Sequence, residues 1–276
     1  MKKLFGLICS VVMAFCCFGL TGCGEDSNTI YVYTNAGFPP YEYTDDNNKP
    51  IGADIDIMRE VCEVLGYKME VKDVAFGVII EEVKSNQMAV GAAGITITSE
   101  RLESVDFSIP YTTSQQYAVV RKGTFGTEDL VGGKLPLAKL MNKKVGTQEA
   151  TTGDYIMSDE ISGTEDEDTG DHIPGIFEGS QTTNTTYSNA LVAKLDLIGS
   201  NPAIDAIVID EMPAKIIADS EETLECYSLD TEPESYAICV QKGNTELLTK
   251  INTVLQQLID NGVVDYFILK HSGAIL

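Results

Sequence analysis

The sequence predicts an α/β fold on three observations: short β-rich segments alternate with helical ones, the helical segments carry apolar residues on one face, and glycine or asparagine punctuates the helix ends. Period-two alternation over residues 30–34 and a β-rich stretch over 69–74 read as strands. The helix between them shows Ile57, Met58, Val61, Val64 and Leu65 on one face, and Gly66 supplies its stop. A second helix covers roughly 78–86, with Ile79, Ile80 and Val83 inward, and leads into a strand over 88–94. Strands separated by helices imply a mainly parallel sheet covered on both faces.

A second cycle follows a strand at 117–121, with a strand near 144–147, a helix from about Thr151 and a buried strand at 204–210. Pro213 suits the first turn of the next helix, where a missing N–H costs nothing. A third cycle has a strand at 235–241. Its long amphipathic helix carries Leu247, Leu248, Ile251, Val254, Leu255, Leu258 and Ile259, and Asn261 with Gly262 ends it. No internal repeat stands out. Residues 158–171 are crowded with acids: Asp159, Glu160, Glu165, Asp166, Glu167, Asp168 and Asp171. Gly170 and Phe177 fall where a calcium loop needs side-chain oxygens, so this stretch reads as a solvated surface insertion and no metal is expected.

With 276 residues the chain holds one large or two modest domains, and a net charge of −23 repels nucleic acid and anionic lipid at long range. At the amino terminus, Lys2 and Lys3 precede an apolar run to Leu20, followed by Thr21, Gly22 and Cys23. The run is short for a membrane span, and the pattern resembles the bacterial lipobox. That resemblance implies a lipoprotein signal peptide over 1–22, lipidation of Cys23, a tether over 23–28, and an extracytoplasmic protein anchored to the cell membrane. Of seven cysteines, Cys62, Cys226 and Cys239 remain once the signal residues and Cys23 are set aside. An odd count argues against a disulfide framework, and Cys62 and Cys239 read as small buried hydrophobes; whether Cys226 and Cys239 meet stays open.

Four ordered segments carry a wider resemblance: residues 34–42, with Asn35, Phe38 and the Pro39, Pro40 pair; 93–101, with Gly94, Ile95, Thr96 and Arg101; 105–111, with Asp106, Phe107 and Pro110; and 204–210, ending in Asp210. Together they resemble the polar amino-acid family of bacterial extracellular solute-binding proteins, family 3. The resemblance implies a two-lobe clamshell of the type II periplasmic-binding-protein fold, crossed near 113–118 and 230–237. Lobe 1 would hold 29–115 and 234–276, and lobe 2 would hold 116–233. The implied role is the substrate-binding component of an ABC importer, a monomer that captures a free amino acid and passes it to membrane permease subunits, without a cofactor. A dehydratase-type enzyme on the same scaffold and an amino-acid sensor are the alternatives.

A free amino acid is a zwitterion, so its receptor needs both signs. Arg101 offers a planar fork for the carboxylate, Gly94 lets backbone approach closely, and Thr96 adds a hydroxyl. Asp210, at the carboxyl end of its strand, reads either as the acid for the ligand ammonium or as the N-cap of the helix holding Pro213. By resemblance, Gln148, Thr151 and Thr152 belong to the segment through which lobe 2 meets the ligand, with Thr151 alternatively a self-satisfied N-cap, and Phe38 and Phe76 sandwich the ligand side chain. Asn35 stands where several cation-preferring relatives have Asp, which tilts the expectation toward an uncharged polar amino acid. No catalytic constellation forms around His172 or His271, so no enzyme is expected.

Overall fold

The computed structural model describes residues 28–166 and 168–273, and within them the chain forms two α/β lobes, each built on a five-stranded sheet. The signal segment, Cys23 and residues 24–27 lie outside the described residues. The first lobe opens with β1 (Thr29–Thr34), a hairpin of β2 (Tyr43–Thr44) and β3 (Pro50–Ile51), then α1 (Ala53–Leu65) and β4 (Lys68–Asp73). It continues through α2 (Ile79–Ser85), β5 (Ala89–Gly91), α3 (Ser99–Ser104) and β6 (Val105–Phe107). After β7 (Thr112–Ser114) come β8 (Gln116–Arg121), β9 (Lys144–Gln148), α4 (Thr152–Ser162), a hairpin of β10 (Thr164–Glu165) and β11 (His172–Ile173), and β12 (Thr183–Tyr187). The second lobe closes with α5 (Ala190–Ile198), β13 (Ala206–Asp210), α6 (Glu211–Asp219) and β14 (Leu224–Ser228). The chain returns through β15 (Glu234–Tyr236) to β16 (Cys239–Gln241), α7 (Thr245–Asp260) and α8 (Val263–His271).

Strand order is β4-β1-β5-β16-β6 in one sheet and β12-β9-β13-β8-β14 in the other. Each sheet is mainly parallel with one strand reversed: β16 runs antiparallel to β5 and β6, and β8 antiparallel to β13 and β14. In each case the reversed strand is the one that follows a crossing, because a chain arriving from the opposite lobe enters its sheet from the hinge end. The two crossing strands, β7 and β15, pair with each other as an antiparallel ribbon, Glu234 opposite Ser114 and Tyr236 opposite Thr112. The single strand expected over 235–241 is therefore two, one in the ribbon and one in the sheet. Continuous burial from Tyr236 to Val240 hid the break.

Successive residues of the central strands pack to opposite sides, as the period of two requires. In β13, Ala206 and Val208 meet Met157, Phe177 and Leu135, while Ile207 and Ile209 join the cluster with Ala214, Ile217 and Leu197. On α1 the buried stripe centres on Met58, Val61, Cys62 and Leu65, which leaves Val64 about a quarter turn round the helix and 62% exposed, against the expectation. The acidic stretch is only partly an insertion. Asp159 and Glu160 ride on the last turns of α4, and beyond them an exposed hairpin turns at Asp166, whose carboxylate accepts from the N–H groups of Asp168 and Thr169. No group of acids, histidines or cysteines among the described residues could hold a metal ion. Cys62, Cys226 and Cys239 are all free thiols. No helix among the described residues is long and apolar enough to cross a membrane.

The stop at Asn261 and Gly262 is a corner and not an end. Gly262 takes a left-handed conformation, φ +69°, and α8 starts beyond it. A charge cluster fastens α8 to α1: Lys270 Nζ and His271 Nε2 reach Asp56 Oδ2 at 2.7 and 2.9 Å, Arg59 pairs with Oδ1, and Tyr43 bonds the other ring nitrogen of His271 at 3.0 Å. Burial alone would raise the Asp56 pKa, but these donors outweigh it and hold the carboxyl well below its usual range. Asp56→Asn leaves the donors without their anion. We expect a loss of about 3 kcal/mol, read as a lower denaturant midpoint with an unchanged slope.

Candidate functional site

The carboxyl ends of β1, β5, β9 and β13 converge between the lobes. On the first-lobe side the chain leaves β5 and turns at Gly94, φ +53°, whose N–H donates to the buried Asp54 carboxylate at 2.8 Å. The strand expected to run through residue 94 ends at Gly91 because this turn is needed to aim backbone into the cleft. A Cβ at Gly94 would stand 3.0 Å from the Phe38 ring, so the close approach requires glycine. Thr98 then caps α3 by accepting from the Arg101 N–H at 3.1 Å, which places Arg101 in the first turn.

The Arg101 guanidinium is buried. Nη1 donates to the Thr96 carbonyl at 2.9 Å, Nη2 crosses the cleft to the Ala150 carbonyl at 3.1 Å, and the group lies over the Phe76 ring, 5.4 Å from its centroid. No carboxylate among the described residues forms an ion pair with it, and burial lowers its pKa. Thr96 Oγ1 donates to Glu234 Oε2 at 2.6 Å, and Gln116 Nε2 donates to Glu234 Oε1 at 2.6 Å. Glu234 is thus a buried hinge carboxylate with both oxygens occupied.

From the second lobe, β9 delivers Gln148 and a corner at Ala150, φ +61°, before α4 begins at the cleft. Thr151 is that helix's N-cap: its hydroxyl donates to the Gln148 carbonyl at 2.7 Å and accepts from the Asp154 N–H at 3.4 Å. Thr152 Oγ1 reaches across to Thr96 Oγ1 at 3.2 Å. Asp210 ends β13 at the N-cap position of α6, yet its side chain makes no capping bond. Its Oδ1 is buried without a partner. Burial, reinforced by the nearby Glu234 charge, pushes its pKa up to about 7.

These groups line one shared pocket, drawn in between the lobes to a cavity of about 10 Å³, roughly the room of one water. Nine residues singled out from the sequence line it: Phe38, Phe76, Gly94, Thr96 and Arg101 from the first lobe, Gln148, Thr151, Thr152 and Asp210 from the second. Asn35 and Ile95 do not. Asn35 bonds Val74 and Gln148 at the pocket's edge, and the Ile95 side chain sinks into the core with Ile79 and Val105, leaving only its backbone nearby. Two lining residues were not singled out, Ala93 and Glu42. Glu42 is almost wholly buried, its Oε2 has no partner, and burial with the neighbouring Asp54 and Asp210 charges raises its pKa well above the ordinary value. It lay inside the quoted 34–42 segment, but its burial comes from the bridge it forms with Phe38 and from packing that no local spacing reveals.

Residues 30–274 match the family model of the bacterial extracellular solute-binding proteins, family 3. The chain is similar to the arginine-binding extracellular protein ArtP of Bacillus subtilis (strain 168), 27% identical across 96% of each protein. It is also similar to the L-cystine-binding protein TcyJ of Escherichia coli (strain K12), 25% identical across 95% of this chain and 90% of that one. Among solved structures it resembles an ancestral arginine-binding protein bound to arginine, with TM-score 0.73 and 30% identity over 88% of this chain and 98% of that chain. The ancestral arginine-binding protein bound to glutamine gives TM-score 0.72 and 30% identity over 90% and 99%. The matched model spans nearly all of the described chain and both lobes, and the protein belongs to the bacterial extracellular solute-binding proteins, family 3.

Proposed function

We propose that this protein is the receptor of an ABC importer for a free amino acid, anchored by lipid at Cys23 outside the cell membrane and closing as two bodies, 29–115 with 234–276 against 116–233. One observation carries the reading: Arg101 on one wall and Asp210 on the other are buried in a shared pocket with no ion-pair partner, the complement of an α-carboxylate and an α-ammonium. Thr96 and the opening turn of α4 flank the carboxylate side, and Phe38 and Phe76 offer faces to the ligand side chain. The family and the ligands named for its relatives, arginine, cystine and glutamine, support the same class. Delivery to permease subunits follows from that family. The two histidines are bonded elsewhere, His172 to Glu178 and His271 to Asp56, so neither serves the pocket as the acid or base of a dehydratase.

Asn35 pointed toward an uncharged side chain, but its amide is bonded to protein and stands outside the lining, so its missing charge bears little on the ligand. Glu42 bears more. With Asp210 it gives the pocket two buried carboxyl oxygens without a protein partner, Glu42 Oε2 and Asp210 Oδ1, which can accept from a side chain ending in N–H donors, whether an amide or a cation. Aspartate and glutamate are disfavoured.

A thermal-shift screen of the twenty amino acids checks the class directly. A ligand at 100 times its Kd should raise the melting temperature by about 5 to 10 °C, with donor-bearing side chains leading, and no shift from any of them would sink the reading. Arg101→Ala should weaken binding by roughly 2 to 5 kcal/mol in calorimetry while the protein still melts cooperatively; unchanged affinity removes Arg101 from the site.

Binding should also be linked to protons. The Asp210 carboxyl is held near 7 in the empty pocket, and an arriving ammonium favours its ionised form. Affinity is then full above about pH 7 and falls as pH drops through that value, by up to about tenfold per unit. Titrations near pH 7 in buffers of different ionisation heat should report net proton release, and a heat independent of buffer would contradict it.

A further inference from the structure

Asn35 and Gln148 form a relay of amide hydrogen bonds whose polarity is set at one end. The Val74 backbone carbonyl can only accept, and Asn35 Nδ2 donates to it at 2.6 Å. That turns Asn35 Oδ1 toward the second lobe, where it accepts from Gln148 Nε2 at 3.0 Å. The remaining atom of the Gln148 amide, Oε1, is buried and has no partner, on a residue whose side chain lines the pocket. The two ends of an amide are nearly the same size, so shape does not decide which one meets a ligand. The relay does.

We propose that Asn35 is a positioning residue that presents Gln148 Oε1 to the ligand as a fixed acceptor, and that the same bond latches the two lobes. The inference rests on the amino-acid-receptor reading and sharpens it. With the lobes apart, Gln148 is free to turn; on closure its Nε2 is taken by Asn35, and only a ligand that brings an N–H to Oε1 leaves no buried acceptor unsatisfied. A ligand bringing a second acceptor meets Oε1 oxygen to oxygen. Closure and selection of a donor are therefore one event. Both ends of the Asn35 amide are needed, since an ionised aspartate at this position has no hydrogen to give Val74.

The test is calorimetric titration of the wild type, Asn35→Leu and Gln148→Met with two ligand pairs, L-glutamine against L-glutamate and L-arginine against L-citrulline. Within each pair a terminal N–H donor group is replaced by an acceptor of similar size. The wild type should prefer the donor-bearing member, and that ratio should shrink about tenfold or more in both variants, each shown to be folded by its own melting curve. Equal weakening of both members with an unchanged ratio overturns the inference, leaving Asn35 as a lobe contact alone. A wild type that binds none of the four but is stabilised by another amino acid also overturns it while the receptor reading stands. A wild type stabilised by no amino acid removes both.

Discussion

The structure depends on charge that is buried before it is matched. Arg101, Asp210 and Glu42 sit in a closed, low-dielectric pocket where each ionised group on its own is unfavourable, and none has an ion-pair partner within the described residues. A guest carrying both signs offsets that penalty at once, whereas water offsets it poorly in so small a space. The carboxylates record the strain in their proton affinities: burial pushes Asp54 to about 6 despite the Gly94 and Tyr111 bonds, and Asp210 to about 7. Because these folded-state values exceed those of an exposed aspartate, the stability they confer is present at low pH and lost as pH rises through 6 to 7. The fold is thus least favoured by these acids at the pH where the proposed site would be ionised for a ligand ammonium.

The hinge shares residues with the pocket. Glu234 begins β15 and accepts from Thr96, a lining residue, and from Gln116, the first residue of β8. One carboxylate therefore ties the ribbon, the Gly94 to Thr96 wall and the second lobe's central sheet together. Its contrast with Asp210 is informative. Both are buried acids near the same pocket, but the one at the hinge has both oxygens bonded and the one at the strand end has Oδ1 vacant. The first holds structure together, and the second is the one the proposed site would use for the ligand ammonium.

Much of this was legible from the chain. Elements with strong local signals, α1 with its Gly66 stop and α7 with its long apolar stripe, stand where periodicity put them, because amphipathic patterning is a property of neighbouring residues. Five pocket residues lay in the four short ordered motifs, and Phe76, Gln148, Thr151 and Thr152 followed from the wider family resemblance. What escaped depended on partners distant in sequence: the reversal of β8 and β16, the division of 235–241 between ribbon and sheet, the docking of α8 through Asp56, and the burial of Glu42. Asn35 marks the same boundary. Its motif located it beside the site, but only the fold shows that Val74, thirty-nine positions away in the chain, and Gln148 occupy its amide.

Net charge bears on selectivity from farther out. A field from −23 charges lowers the local concentration of anions around the cleft, so in the proposed site the Arg101 guanidinium would meet a carboxylate at contact range and would not draw one in from solution. A zwitterion suffers little from that field and a cation gains from it. A dicarboxylate would be opposed on approach and, where Asp210 is ionised, again in the pocket. On the proposed reading, long-range charge and short-range hydrogen bonding favour the same guest, an amino acid whose side chain gives protons to acceptors and adds no negative charge of its own.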